Sequence, residues 1–194
     1  MNEPKTEVRV LILSATERFA EFLMPLLQAR GLFSVASAND LRTAKSITEQ
    51  ENFDLIFLNS PLADGDGYRF ALELSRTPGA VVLAAVSAER HEEAAKILSS
   101  HGVYLLSKPL SSKALSAALD WMLATRARLF EIEESRHSLE EKMKDLTLIN
   151  RAKWLLIDRL GMSEAEAHYH IEKQAMDRRI SKREVAEEIV KIYG

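Results

Sequence analysis

Five short apolar runs, separated by segments in which apolar residues recur with helical spacing, most constrain the fold of this 194-residue chain. The first run, at residues 8–13, is continuous rather than alternating, which is typical of a parallel strand that is buried on both faces. Such strands alternating with helices predict an α/β fold, a five-stranded doubly wound parallel sheet with right-handed crossovers. The predicted strands span residues 8–13, 34–36, 55–58, 81–86 and 104–106, and the predicted helices between them span residues 18–30, 41–51, 67–76 and 90–101.

Small or polar residues stand where four of these strands end. Because the carboxyl ends of parallel strands meet at one edge of the sheet, these side chains should line its binding crevice. They are Ser14, Ala15, Asn59, Ser87 and Lys108.

Three segments resemble the receiver domain of response regulators: DLIFLNSPLADGDGYRFALEL at 54–74, VVLAAVSA at 81–88 and LLSKPL at 105–110. The resemblance implies an aspartate that is phosphorylated and an acidic pair that holds Mg²⁺. Here Asn59 occupies the position of the aspartate, and Ser14 and Ala15 occupy those of the pair, while Ser87 and Lys108 remain. An amide is neither a carboxylate nucleophile nor an anionic ligand. We therefore expect residues 1–122 to be a pseudo-receiver without aspartyl phosphorylation, metal or cofactor, used for dimerisation or partner binding.

Two alternatives stay open in this pocket. Lys108 would hydrogen-bond Asn59 or a strand-end carbonyl, or else it would bind an anion. Asp64 and Asp66 lie in the Gly-rich segment ADGDG, where they are either ordinary turn formers or a relocated phosphorylation site.

A heptad of apolar residues begins at Leu115, and residues 111–160 contain no Pro or Gly. This pattern predicts one long helix with a coiled-coil face, whose linker part spans residues 123–148. The first turns should pack on the receiver, whereas beyond Arg126 the face extends past the sheet and predicts a homodimer. Arg136 and Asn150 interrupt the apolar pattern, and such residues can fix register and oligomeric state. The predicted dimer seam consists of Leu129, Ile132, Arg136, Leu139, Met143 and Leu146.

Two capping boxes divide the end of the chain. Ser163 with Glu166 and Ser181 with Glu184 both fit S-x-x-E, in which the hydroxyl and the carboxylate satisfy N–H groups at a helix start. Gly161 stands just before the first box, where a helix end favours left-handed backbone. These signals predict that residues 149–194 form a three-helix module.

The module resembles the ANTAR family of RNA-binding antitermination domains. The likeness is carried by INRAK at 149–153, Gly161, EAH at 166–168 and AMDRR at 175–179. It implies a dimer that places one module on each of two hairpins in a nascent transcript, whose stabilisation precludes an overlapping terminator. The expected function is an RNA-binding transcription antiterminator without phosphorylation control. Its input would be a regulatory protein bound to the pseudo-receiver, a small ligand, or none.

RNA recognition needs cations for phosphates and donors for base edges. Residues 147–194 hold nine Lys or Arg and eight Asp or Glu, a net charge of +1. This balance is too weak for a non-specific nucleic-acid binder, so recognition should be local and shape-directed. The resemblance places the Ala-Lys pair on the RNA-facing part of the module, where a small side chain would let RNA approach. The candidate RNA-binding residues are Asn150, Arg151, Ala152, Lys153, Gln174, Arg178, Arg179 and Lys182.

Other residues of the module have structural interpretations. His168 and His170 are two positions apart without an acidic or Cys partner at metal-ligand spacing, which argues against a zinc site. His168 stands next to the predicted buried stripe and is therefore assigned to the core. Trp154 is assigned to the core in preference to base stacking. The predicted core consists of Trp154, Leu155, Leu156, Ile157, Leu160, Ile171, Ile189 and Val190.

Three other functions compete with RNA binding. Three helices also suit a DNA-binding regulator, but in the segment 182–193 Glu184, Glu187 and Glu188 would face phosphate repulsion. A protein-only adaptor would leave Arg178 and Arg179 as solvated surface. An enzyme is least favoured, because no nucleophile, base and orienting group stand in a recognisable arrangement. No catalytic residue is therefore predicted.

The chain has no cysteine, which excludes disulfides and thiolate metal sites. No run of 18 apolar residues and no signal-peptide core occur in the sequence. These features predict a soluble cytoplasmic protein without membrane contact.

Overall fold

The structure, a computed structural model, describes residues 7–194. Its first part is the expected five-stranded parallel sheet, with the strand order β2-β1-β3-β4-β5. Each strand was predicted from the sequence but ends one or two residues later than expected. The strands are β1 (Arg9–Ser14), β2 (Ser34–Ala38), β3 (Leu55–Asn59), β4 (Val81–Ser87) and β5 (Tyr104–Lys108), and the helices between them are α1 (Glu17–Gln28), α2 (Leu41–Gln50), α3 (Tyr68–Ser75) and α4 (His91–Leu98), the last flanked by 3₁₀ turns at Ala88–Arg90 and Ser99–His101.

The three central strands β1, β3 and β4 are buried on both faces, which explains their continuous apolar runs. Successive side chains of a strand point to opposite faces. In β1, Val10 and Ile12 belong to one apolar cluster, and Leu11 and Leu13 belong to another. Residues of α2, α3 and α4 complete the cluster of Leu11. Residues of α1 and of the start of the helix that follows β5 complete the cluster of Val10. The helices thus cover the faces and leave the carboxyl ends of the strands as the crevice.

The predicted long helix is α5 (Ser112–Leu160), a single helix of 49 residues. Its first turns pack on the sheet through Leu115, Leu119 and Met122, which are fully buried. One turn later, Arg126 Nε donates a hydrogen bond to Asp54 Oδ1 at 2.8 Å. These contacts fix the start of α5 on the receiver, as the sequence predicted. By its contacts the chain divides into two compact units, one ending at Glu133 and the other comprising Glu134–Gly194.

The second unit contains the end of α5, α6 (Glu164–Arg178) and α7 (Lys182–Tyr193). These three segments bury one apolar cluster that includes Leu156 of α5, Ile171 of α6 and Ile189 of α7. About 60 residues enclose this core, so each buried side chain contributes a large share of the unit's stability.

Both predicted capping boxes are present. The hydroxyls of Ser163 and Ser181 accept hydrogen bonds from the backbone N–H groups of Glu166 and Glu184, whose carboxylates accept from the backbone N–H of the serines. These hydrogen bonds lower the pKa of both glutamates below the usual value. Gly161 has a φ of 67°, the left-handed backbone expected between α5 and α6.

Candidate functional site

The receiver pocket lies at the carboxyl edge of the sheet, where the strand register brings its residues together. Ser14 is the register partner of Asn59 across β1 and β3, and Ser87 is the partner of Lys108 across β4 and β5. Asn59 Nδ2 donates a hydrogen bond to Ser14 Oγ at 3.0 Å. The Ser14 hydroxyl in turn donates to the Thr16 carbonyl at 2.8 Å. Asn59, Ser14 and Thr16 therefore form a short chain of hydrogen bonds between neutral groups.

Lys108 donates a hydrogen bond from Nζ to the backbone carbonyl of Ser60 at 2.5 Å. This carbonyl directly follows β3, so its use matches one of the two partners expected from the sequence. Burial lowers the pKa of the Lys108 ammonium below its usual value. The lysine thus holds a neutral strand-end group.

The two aspartates of the ADGDG segment serve local structure. The Asp64 carboxylate accepts hydrogen bonds from the backbone N–H of Leu41 at 2.8 and 3.0 Å, at the start of α2. Asp66 Oδ1 accepts from the N–H of Tyr68 at 3.0 Å, at the start of α3. Both contacts support the interpretation of these residues as turn and helix-start residues.

The predicted dimer seam falls into two parts. Leu129 is half-buried and packs against the apolar cluster of the sheet. From Ile132 onward, the apolar seam residues have more than half of their surface exposed: Ile132, Leu139, Met143 and Leu146. Arg136 Nη1 lies 3.3 Å from Glu140 Oε1, one turn along the same helix. The exposed part of the seam is therefore an apolar stripe interrupted at Arg136, which pairs with Glu140.

One of the candidate RNA-binding residues, Ala152, lies in the core of the module. Ala152 is fully buried and belongs to the apolar cluster of the second unit, together with Leu156 and Ala167. No part of Ala152 is exposed in the folded module, which disagrees with a direct RNA contact, and its role in RNA binding stays a prediction. A small side chain suits this position because the apolar side chains of the cluster surround it.

Three candidate cations are held by carboxylates. Lys153, whose side chain is only 18% exposed, lies 3.3 Å from Glu164 in the first turn of α6. Arg178 binds both carboxylate oxygens of Glu188, at 2.5 and 2.6 Å, which lowers the pKa of Glu188 and raises that of Arg178.

Lys182 binds Glu172 and lowers the pKa of that carboxyl. These pairs connect α5 with α6 and α6 with α7, so the cations also stabilise the module.

The other candidates are not paired in this way. Arg151 and Arg179 are exposed, and within residues 7–194 their side chains have no carboxylate at ion-pair distance. Lys173 of α6 is also exposed and also has no carboxylate at ion-pair distance within residues 7–194. Asn150 is exposed and Gln174 is half-buried. Arg179 has a φ of 52° at the end of α6, a position that glycine usually occupies.

Three interpretations of the module are wrong. Trp154 is 70% exposed, Leu160 is about half exposed, and His168 lies at the surface beside Glu172 rather than in the core. Consecutive positions of a helix point in different directions, so the four apolar residues from Trp154 to Ile157 cannot all face one core. The spacing of Ala152 and Leu156, four residues apart, gives the buried face and would have placed Trp154 nearly opposite.

The chain is similar to known regulators along most of its length. A sequence profile of the response regulator receiver domain matches residues 9–120, and a profile of the ANTAR domain matches residues 137–190. The transcriptional regulatory protein PdtaR of Mycobacterium tuberculosis is 29% identical over 188 residues, which covers 96% of this chain and 91% of that protein. The aliphatic amidase regulator of Pseudomonas aeruginosa is 29% identical over 122 residues, covering 62% and 61%.

Solved structures show the same fold in the first unit. The regulatory domain of the repressor of iron transport regulator RitR, in its inactive form, matches with a TM-score of 0.52 and 28% identity, covering 61% of this chain and 96% of that domain. A two-component response regulator from Clostridium difficile matches with a TM-score of 0.53 and 24% identity, covering 60% and 96%. No helix of residues 7–194 is long and apolar enough to span a membrane.

The ANTAR match begins at His137, inside the segment that was expected to be linker, and so includes part of the exposed stripe. The receiver match extends over more than half of the chain, and the sheet shows the corresponding topology. The chain therefore belongs to the response regulator receiver family and carries an ANTAR domain at its C-terminal end.

Proposed function

We propose that this chain is an RNA-binding transcription antiterminator that works as a cytoplasmic dimer. The observation that carries the proposal is the ANTAR match over residues 137–190, since resemblance to that family implies RNA hairpins as the ligand. Binding energy alone suffices for this function, because a hairpin pair that the protein stabilises competes with an overlapping terminator. Neither a catalytic residue nor a cofactor is needed.

The cations of the module contribute unequally in this proposal. Arg151, Lys173 and Arg179 are exposed and free of carboxylates within the described part of the chain, so their charges are available to phosphates at once. Lys153 and Arg178 must share or lose a carboxylate partner first, which reduces their gain on binding. Lys182 behaves in the same way. Gln174 is the neutral donor for base edges, because Asn150 lies on the face of α5 that the dimer covers.

Helix α7 favours RNA-hairpin binding over DNA reading. A recognition helix needs side chains that are free to contact base edges in the major groove. In α7, Lys182 is bound to Glu172, and Arg183 is bound to Asp145 at 2.9 Å and to Glu187 at 3.0 Å. The first turns of α7 therefore present paired cations and acids rather than free donors.

The dimer is supported by the exposed stripe on α5. An apolar heptad face in water is stabilised when a second helix covers it. Asn150 occupies an a position of the same heptad, where an asparagine pairs with its counterpart and selects one register. In the dimer Asn150 therefore sets the alignment of the two modules and lies at the border of the RNA-binding residues.

Binding to nucleic acids tests the function directly. A filter-binding titration compares an RNA with two short-looped hairpins and a matched DNA duplex at two salt concentrations. The RNA should bind at least about tenfold more tightly, with a salt dependence that corresponds to only a few phosphate contacts. Equal or tighter binding of the duplex would contradict the proposal.

Lys153 provides a test at the level of one residue. Lys153→Ala should weaken hairpin binding about threefold to tenfold, because it removes a phosphate contact, and should leave dimerisation unchanged. Glu164→Gln is the matched control, since it breaks the same ion pair but keeps the cation. If both variants weakened binding equally, Lys153 would act only by holding α5 to α6.

The receiver pocket is proposed to be inactive in phosphoryl transfer. Intact-mass analysis after incubation with acetyl phosphate and Mg²⁺ should show no aspartyl adduct, because Asn59 is not a carboxylate nucleophile. Asn59→Asp provides the comparison for a restored acceptor position. An adduct on the wild-type protein that maps to the crevice would show that another residue has taken over the acceptor role.

A further inference from the structure

A cleft of about 590 Å³ opens at the carboxyl edge of the sheet, beside Asn59. Among the described residues, its polar lining contains two cations, Arg18 and Lys108, and no carboxylate. Phe22 and Pro109 belong to its apolar lining. The cleft therefore combines positive charge with an apolar wall, which is a common composition of small-molecule sites.

One lining residue of this cleft, Asn59, replaces an acid of a receiver, whereas Ser14 and Ala15 line a neighbouring pocket together with Glu17. Three positions that carry carboxylates in a phosphorylated receiver are Ser14, Ala15 and Asn59 in this chain. Lys108 remains. A pocket that holds Mg²⁺ in a phosphorylated receiver therefore has an excess of positive charge in this chain.

Neither cation is neutralised by the residues that the structure describes. Lys108 donates its hydrogen bond to a neutral carbonyl, that of Ser60, and uses one of its three donors there. Burial without a counter-charge lowers the pKa of this ammonium group, and an anion nearby would favour the charged form again. Arg18 is exposed and makes no ion pair within residues 7–194.

We infer that the cleft binds a small organic oxyanion, a phosphate or a carboxylate attached to an apolar group. The oxyanion lies between Lys108 and Arg18, and the apolar group packs against Phe22 and Pro109. Charge-assisted hydrogen bonds orient the ligand, and the apolar wall selects against inorganic ions. Occupation of this cleft would give the receiver a ligand-dependent input in place of phosphorylation, and it does not depend on the RNA-binding proposal.

Isothermal titration of the full-length protein tests the inference with four probes: phenyl phosphate, benzoate, benzyl alcohol and inorganic phosphate. Phenyl phosphate or benzoate should bind with a Kd on the order of 0.1–1 mM, and the tighter of the two identifies the oxyanion. Benzyl alcohol and inorganic phosphate should bind at least about tenfold more weakly, because each lacks half of the recognised chemistry. No binding of either organic anion at 10 mM (roughly ten times the weakest expected Kd), or equal binding of benzyl alcohol, would overturn the inference.

Variants assign the binding to the cleft. Lys108→Met and Arg18→Gln should each weaken the better anion about fivefold to tenfold, and Asn59→Asp should abolish binding because it returns a carboxylate to the cleft. Lys96→Met, on α4 and away from the cleft lining, is the matched control and should bind normally. Arg18→Gln changes an exposed residue and keeps the test valid if Lys108→Met fails to fold. Equal loss in the Lys96 variant would show non-specific attraction and overturn the assignment.

Discussion

A chain in which Leu139 and Leu146 are both replaced by Glu is expected to be monomeric and to bind a two-hairpin RNA about 100-fold more weakly than the wild type. Both leucines occupy d positions of the heptad, and both have about 60% of their surface exposed in the single chain. In a parallel coiled coil each d residue contacts the same residue of the partner helix. The two glutamates would therefore place two pairs of like charges in the seam. The loss of RNA affinity follows because two linked modules bind as one bivalent ligand, whereas separate modules do not.

The measurement combines sedimentation velocity with RNA titration. The double variant should sediment as a monomer, and its affinity for a single hairpin should equal that of the wild type. Phe33→Glu is the matched control, because Phe33 is equally apolar and 70% exposed but lies in the first unit, outside the seam. A double variant that stays dimeric, or that loses single-hairpin binding as well, would contradict the role of the stripe.

Much of the fold was predictable because its signals are local. The continuous runs at β1 and β4 are buried on both faces. A strand in that environment is apolar at successive positions and does not alternate between apolar and polar residues. The serines at 163 and 181 cap their helices through residues three positions away, so the sequence contains the whole motif. Position and type of these elements therefore followed from short stretches of sequence.

The ion pairs of the module were not predictable in the same way. Arg178 and Glu188 are ten residues apart and belong to different helices, as are Lys182 and Glu172. Several carboxylates compete for each cation, and only the packing angle of the helices selects the partner. The sequence could therefore identify the charges of the module, but it could not separate free cations such as Arg151 from paired ones.

The position of helical faces was the second limit. The segment from Trp154 to Ile157 is apolar at every position, so hydrophobicity alone does not show which side is buried. In the structure Ala152 and Leu156 are buried, whereas Trp154 is exposed. An exposed tryptophan next to the free cation of Arg151 has the composition of a base-stacking site. Base stacking is the alternative to a core position for Trp154.

Ala152→Leu is expected to unfold the C-terminal module at a temperature about 5–15 °C lower than in the wild type. The leucine adds three carbon atoms at a fully buried position, and overpacking of this kind costs about 1–3 kcal/mol. In a unit of this size, 1 kcal/mol corresponds to a shift in Tm of roughly 4–8 °C. RNA binding should fall together with the folded fraction, because the variant acts through the stability of the module.

Thermal unfolding of the full chain, followed by circular dichroism at several RNA concentrations, separates the two roles of this position. Ala165→Leu is the matched control, since Ala165 lies on α6 in the same module but is exposed, and it should leave both Tm and RNA affinity unchanged. A loss of RNA affinity in Ala152→Leu at unchanged Tm would place Ala152 at the RNA surface after all. A joint loss, with affinity restored at a temperature where the variant is folded, would show that this alanine is required for packing of the module core.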